Sequence, residues 1–198
     1  MRSTLKTLLA LGIAAFAMLL FRALAFTIYG VPGAALEPVF QAGDRVMVNR
    51  WSYGLRVGDG GLMAYNRLWR QPVRRGDLVA VNDPTDTLES VSDRRVLILR
   101  CVGVPGDTVT NGNSLLVVPG RSTCADGDYY WMLAAPRTSK SAARNRQPEQ
   151  RDSYDSRTFG LVREDHIIGR AFLIIYSHDP DQPLWAGWNG ERLFLPPQ

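Results

Sequence analysis

Hydrophobic positions along this chain form one long run and then a series of short, alternating ones. Thr7–Phe21 is apolar, Arg22 interrupts it, and Ala23–Ile28 is apolar again. The uninterrupted run is short for a bilayer span, but an arginine near its end can snorkel to the headgroups. After it, a Gly-Asp turn leads into an alternating strand over Arg45–Val48. Arg75-Gly-Asp77 reads as a turn feeding a buried strand that Pro84 stops. A strongly apolar strand starts at Arg95 and closes on Val104-Pro-Gly-Asp107, a type II turn signal. Leu115–Pro119 and Tyr129–Leu133 read as further strands, and Leu161–Arg170 with Ala171–Ser177 as closing ones. Between them, Gly58–Gly61 and Thr85–Arg94 are loop-like, and Pro136–Arg151 reads as a mobile hydrophilic insertion. The pattern predicts a mainly β fold of antiparallel sheets behind one N-terminal helix.

Length and composition narrow this picture. The 198 residues have room for one domain plus a membrane segment, divided here into an anchor over 1–28 and a β domain over 29–198. Twelve prolines and 18 glycines suit short strands and turns better than a helical bundle. No basic cluster interleaved with aromatics argues for nucleic acid. Cys101 and Cys124 lack metal-ligand spacing, so neither a metal nor a cofactor is expected. In an extracytoplasmic domain the two could pair, or Cys101 could be a buried free thiol in its apolar strand.

The start of the chain has two readings. A basic beginning, an apolar region and Ala23-Leu24-Ala25 suit a cleaved secretory signal. Arg22 directly before that site, and apolar character continuing to Ile28, favour an uncleaved anchor. Positive charge ahead of the span would leave the N-terminus inside and the domain outside, in a single-pass inner-membrane topology.

The candidate chemistry lies just past that run. In Tyr29–Phe40, Pro32 and Pro38 hold the chain extended and Gly33 permits close backbone approach. Such a segment has one open side, suited to lying beside a bound peptide. It resembles the nucleophile segment of bacterial signal peptidase I, the serine–lysine peptidase that removes signal peptides. Pro32, Glu37 and Pro38 are kept, but Ala35 stands where the nucleophilic serine would be. Arg100–Asp107 resembles the family's most recognisable block, whose lysine base would fall on Leu99. Asp152–Gly160 resembles a third block, in which Ser153, Asp155 and Arg157 match residues that support the dyad. There Asp155 is expected to pair with Arg157. Phe21–Phe26 resembles the family's junction out of its last membrane helix.

The resemblance covers nearly the whole chain, and it implies a peptide groove without a dyad. A serine–lysine pair needs a hydroxyl and a neutral amine, and burial lowers the lysine pKa enough to supply the amine. Alanine and leucine offer neither, and arginine stays protonated. The two lysines, Lys6 and Lys140, lie in the membrane flank and in the insertion. Ser153, Asp155 and His166 have the residue types of a triad, but a polar network holding a loop accounts for them. His178 is read as capping a turn. By the resemblance Val31, Pro32, Gly33, Ala34 and Leu36 form one wall of the groove, and Leu97, Ile98 and Leu99 the other. Ala35 and Leu99 are expected to pack together. The expected partners are signal peptides or exported pre-proteins, the membrane, or an active signal peptidase paralogue. An active peptidase with a non-standard dyad is the rival.

Overall fold

The computed structural model describes residues 2–31, 39–58, 65–86, 94–112, 114–134, 154–179, 182–183 and 185–197, and within the first helix the side chains of 6–19, 21 and 25. Helix α1 runs Arg2–Ala25. The strands are β1 Phe26–Gly30, β2 Asp44–Asn49, β3 Leu55–Val57, β4 Asn66–Leu68, β5 Leu78–Asn82, β6 Val96–Gly103, β7 Thr108–Asn111, β8 Ser114–Val117, β9 Tyr129–Leu133, β10 Val162–Arg163 and β11 Ile167–Ser177. A one-turn helix, α2 at Ser156–Phe159, precedes β10.

Seven strands form one antiparallel sheet in the order β1-β2-β11-β5-β6-β9-β10, and two hairpins, β3-β4 and β7-β8, stand apart from it. All five residues of β5 are buried, because its alternating side chains feed two cores on opposite faces. Leu78 and Ala80 join Val46, Val48, Ile98, Ala171 and Ile174. Val79 and Val81 join Leu99, Cys101, Tyr130, Met132 and Val162. A strand covered on both faces reads as a continuous hydrophobic run, which explains the sequence of β5. At Gly169 a Cβ would come within 2.2 Å of the Asn49 carbonyl oxygen, so β11 can cross the end of β2 only with glycine there.

One boundary differs from the sequence reading. The helix stops at Ala25, and Phe26–Gly30 is a sheet strand, not the tail of the apolar segment. Phe26-Thr-Ile-Tyr is rich in aromatic and β-branched residues, and pairing with β2 from Phe26↔Asn49 to Gly30↔Arg45 wins over helix. The Ala25 carbonyl, left free at the helix end, accepts from Arg50 N–H at 2.9 Å. Phe21 meets Trp51 edge to face at 4.8 Å, fixing the helix end against the same turn. Leu8, Leu9, Leu11, Ile13, Phe16 and Met18 stay exposed along α1. Among the described residues no helix is long and apolar enough to cross a membrane.

Candidate functional site

Among the described residues, strand β6 is paired on both sides over only part of its length. Against β5 it pairs from Val96 to Arg100. Against β9 it pairs only from Arg100 onward, Arg100↔Leu133 being the first contact. Asp83 N–H donates to the Arg95 carbonyl and Cys101 N–H to the Asp77 carbonyl, both at 2.8 Å. Bonds at Arg95 and Cys101 turn the odd-numbered residues toward β5, so alternation turns the N–H and C=O of Val96 and Ile98 the other way. Among the described residues no strand meets them there. An open ladder of this kind can accept an added strand.

Of the expected groove residues, Val31, Leu97 and Ile98 are described, while Pro32, Gly33, Ala34, Ala35, Leu36 and Glu37 lie outside the described residues. Val31 extends β1 by bonding Asp44, its N–H to the Asp44 carbonyl at 2.9 Å. The second wall is not of one kind. Ile98 turns its side chain into the core that holds Val31, whereas Leu97 and Leu99 face the opposite core. Ile98 therefore gives the open edge its backbone alone.

Leu99 is 3% exposed in a cluster with Val79, Val81, Cys101, Met132 and Ala134. The described residues packed around Leu99 in that cluster are hydrophobic. The one thiol, Cys101, is free; burial first, then the charges of Asp77 and Asp107, push its pKa up to about 12. It is thus not a nucleophile at neutral pH. Cys124 is free as well, so the two cysteines are unpaired.

Asp155 is buried beside the end of β9. It accepts from Arg157 Nη2 at 2.6 Å and Nε at 3.0 Å, and from Ala134 N–H at 3.1 Å. It also caps α2 by accepting from Arg157 N–H at 3.0 Å. That hydrogen bonding keeps the Arg157 guanidinium firmly protonated. Ser156 Oγ accepts from Met132 N–H, docking α2 onto β9. Ser153 lies outside the described residues. His166 sits elsewhere, in a single turn at Glu164–His166, with Asp165 as its carboxylate at 3.8 Å. Asp155 and His166 are therefore parts of two networks, and no triad forms from them. His178 bonds across a turn to the Pro183 carbonyl through Nε2 at 3.2 Å and packs against Trp188.

Sequence reasoning missed Asp83. Almost fully buried, it accepts from Arg95 at 2.9 Å, Tyr154 Oη at 2.9 Å, and both the backbone and hydroxyl of Thr85. Burial opposes ionisation there, but these hydrogen bonds outweigh it and hold the carboxyl below its ordinary range. Arg95 also lies over the Tyr154 ring at 4.8 Å. This cluster ties the start of β6 to the segment entering Asp155. The Asp83-Pro84 step at the end of β5 was the available signal, since an Asp just past a strand commonly accepts from the backbone two residues on.

A family model described as signal peptidase, peptidase S26, matches residues 4–176. A probable signal peptidase I-2 of Synechocystis is 29% identical over 151 residues, covering 72% of this chain and 60% of that protein. Signal peptidase I V of Bacillus subtilis is 25% identical over 161 residues, covering 73% and 82%. Signal peptidase I of Leptolyngbya laminosa is 27% identical over 148 residues, covering 71% and 64%. The match thus spans less than two thirds of the Synechocystis and Leptolyngbya proteins.

Proposed function

We propose that this chain, which belongs to the signal peptidase S26 family, holds the signal peptides of exported precursors as a strand added along Val96–Leu99 and does not cut them by a serine–lysine dyad. The observation that carries the reading is the contrast at β6. Among the described residues no strand pairs with its backbone ladder at Val96 and Ile98 on the side away from β5, while the residue at the base position, Leu99, is sealed in hydrocarbon. Ala35, at the nucleophile position, offers only a methyl group.

Each main-chain hydrogen bond of an added strand contributes about 0.5–1.5 kcal/mol net. Ordering a flexible peptide offsets much of this, so affinity in solution is on the order of micromolar or poorer. Confinement to the ligand's own membrane would compensate by raising effective concentration. We assign α1 to that role as an anchor because its described apolar side chains stay uncovered, although no described helix is long and apolar enough to cross a membrane. The domain division at the end of α1 and the extracytoplasmic placement of the sheet belong to the same proposal.

The names of the relatives favour a second reading, in which this chain cleaves signal peptides with some other base. One experiment separates the two. A synthetic signal peptide with an Ala-x-Ala site is titrated into the full chain in non-ionic detergent, and the peptide is then weighed by mass spectrometry. Saturable binding with the peptide intact supports the binder. Turnover at the Ala-x-Ala site supports the peptidase.

A further inference from the structure

Asp44 is a fully buried carboxylate that ties together three stretches of chain. A charge in such a place needs a counter-charge and hydrogen bonds. Arg192 supplies both as a fork, Nε to Oδ1 at 3.2 Å and Nη2 to Oδ2 at 2.7 Å. The same Nη2 also donates to the Val39 carbonyl at 2.9 Å, across 153 positions of sequence. Gln41 N–H donates to Asp44 Oδ2 at 2.8 Å. The Asp44 carbonyl accepts from Val31 N–H at 2.9 Å, and the Val31 carbonyl accepts from Gly43 N–H at 3.2 Å. Val31 and Val39 flank the stretch 32–38, which itself lies outside the described residues. Both flanks are thus fastened at Asp44. Arg192 is held in turn: it ends a single turn over Gly190–Arg192, capped by Asn189 Oδ1. That segment is bonded to β11 by Asn189 N–H to the Ser177 carbonyl at 3.1 Å and by Ile174 N–H to the Leu195 carbonyl at 2.9 Å.

We propose that Arg192 is a positioning residue for the bound peptide, holding both ends of the stretch 32–38 through Asp44 and Val39. This role rests on the binding reading above. Val31 and Ile98 belong to one core, and Val39 and Val96 pack against it. Both flanks of 32–38 and the open part of β6 therefore meet the same core. Fastening a segment before the peptide arrives lowers the ordering cost of binding, so loss of the clamp appears in affinity. A pair that only stabilised the fold would change stability alone. Lysine keeps a charge for Asp44 but lacks the planar fork that serves carboxylate and carbonyl together.

The test uses the full chain in non-ionic detergent, a synthetic signal peptide with an Ala-x-Ala site, and two readouts. Hydrogen exchange followed by mass spectrometry reports how firmly residues 31–44 are held, and titration reports peptide affinity. Arg192→Gln is expected to speed exchange over 31–44 at least tenfold while β6 and β9 keep their protection. It is also expected to weaken peptide binding at least tenfold, with Arg192→Lys falling between it and the native chain. Val118→Ala, at a buried residue beside the Gly106 turn, serves as the stability control. It is expected to lower the unfolding midpoint and leave affinity unchanged. Native-like affinity in Arg192→Gln, or exchange over 31–44 that it leaves unchanged, overturns the proposal. If that variant fails to fold, native-like affinity in Arg192→Lys overturns it instead. A native chain that binds no peptide overturns the binding reading and this role with it, whereas native binding that the Arg192 variants leave unchanged overturns this role alone.

Discussion

Leu99 stands directly opposite Val79 in the β5–β6 pairing, and both side chains are closed off from water. A general base at this position would have to be an amine inside a hydrocarbon cluster, neutral because charging it there is costly. Leucine fills that space and supplies no proton acceptor.

Ala35→Ser alone is therefore expected to give no cleavage of a signal-peptide substrate, because its hydroxyl would lack a base. Ala35→Ser combined with Leu99→Lys supplies both groups and should give slow cleavage in a peptide assay followed by mass spectrometry. Cleavage by the single variant would show that another base is in reach.

The fold was legible where side-chain pattern and backbone partner agree. Tyr129–Leu133 was read with its final bounds, and the Pro105-Gly106 turn closes as expected, Asp107 N–H bonding the Val104 carbonyl at 3.0 Å with Gly106 at φ 91°. Phe26–Gly30 reads as part of the apolar segment because its β-favouring residues continue the same hydrophobic run, and only the pairing with β2 separates it. The split of Leu97 and Leu99 from Ile98 follows from strand alternation, but that both faces of β6 are buried depends on which strands surround it. The contacts of Asp83 with Tyr154 join residues 71 apart, beyond the reach of any local pattern.

Asp155→Ala should destabilise the domain without touching a hydrophobic residue. It strands the Ala134 N–H, at about 1–3 kcal/mol, and removes the cap of α2, at about 0.5–2 kcal/mol. Asp155→Asn keeps a capping oxygen and should lose less. Urea unfolding of the two variants gives the comparison, and equal losses would contradict the capping role.

Thiol labelling reads the burial of β6. With its pKa near 12, Cys101 carries on the order of one thiolate in 10⁴ at pH 8. A maleimide should modify the half-buried Cys124 in the native chain and reach Cys101 only after denaturation. Rapid labelling of both in the native state would mean that the cluster around Leu99 opens.

Acid stability should depend on His166. Burial first, then Arg94, Arg163 and Arg56, lower its pKa against the opposing pull of Asp165, and its buried Nδ1 has no hydrogen-bond partner among the described residues. The unfolded chain takes up the proton first. Stability is therefore fully present above the ordinary histidine pKa of about 6.5 and falls as pH drops below it. Asp83, Asp107 and Asp165, held low, add losses only at more acid pH, and Glu164, raised by burial, acts in the opposite direction. Chemical unfolding between about pH 7.5 and about pH 5.5 should show a decline that His166→Gln flattens. An identical decline in that variant would assign it to other groups.

The most direct test places a photoreactive residue at Leu97, beside the open ladder of β6, in the full chain within membranes, with an exported precursor as bait. The account predicts a crosslink to the uncleaved precursor, centred on its Ala-x-Ala site and lost when those alanines are replaced by bulky residues. Labelling that ignores those alanines, or recovery of a precursor cut at that site, would contradict it.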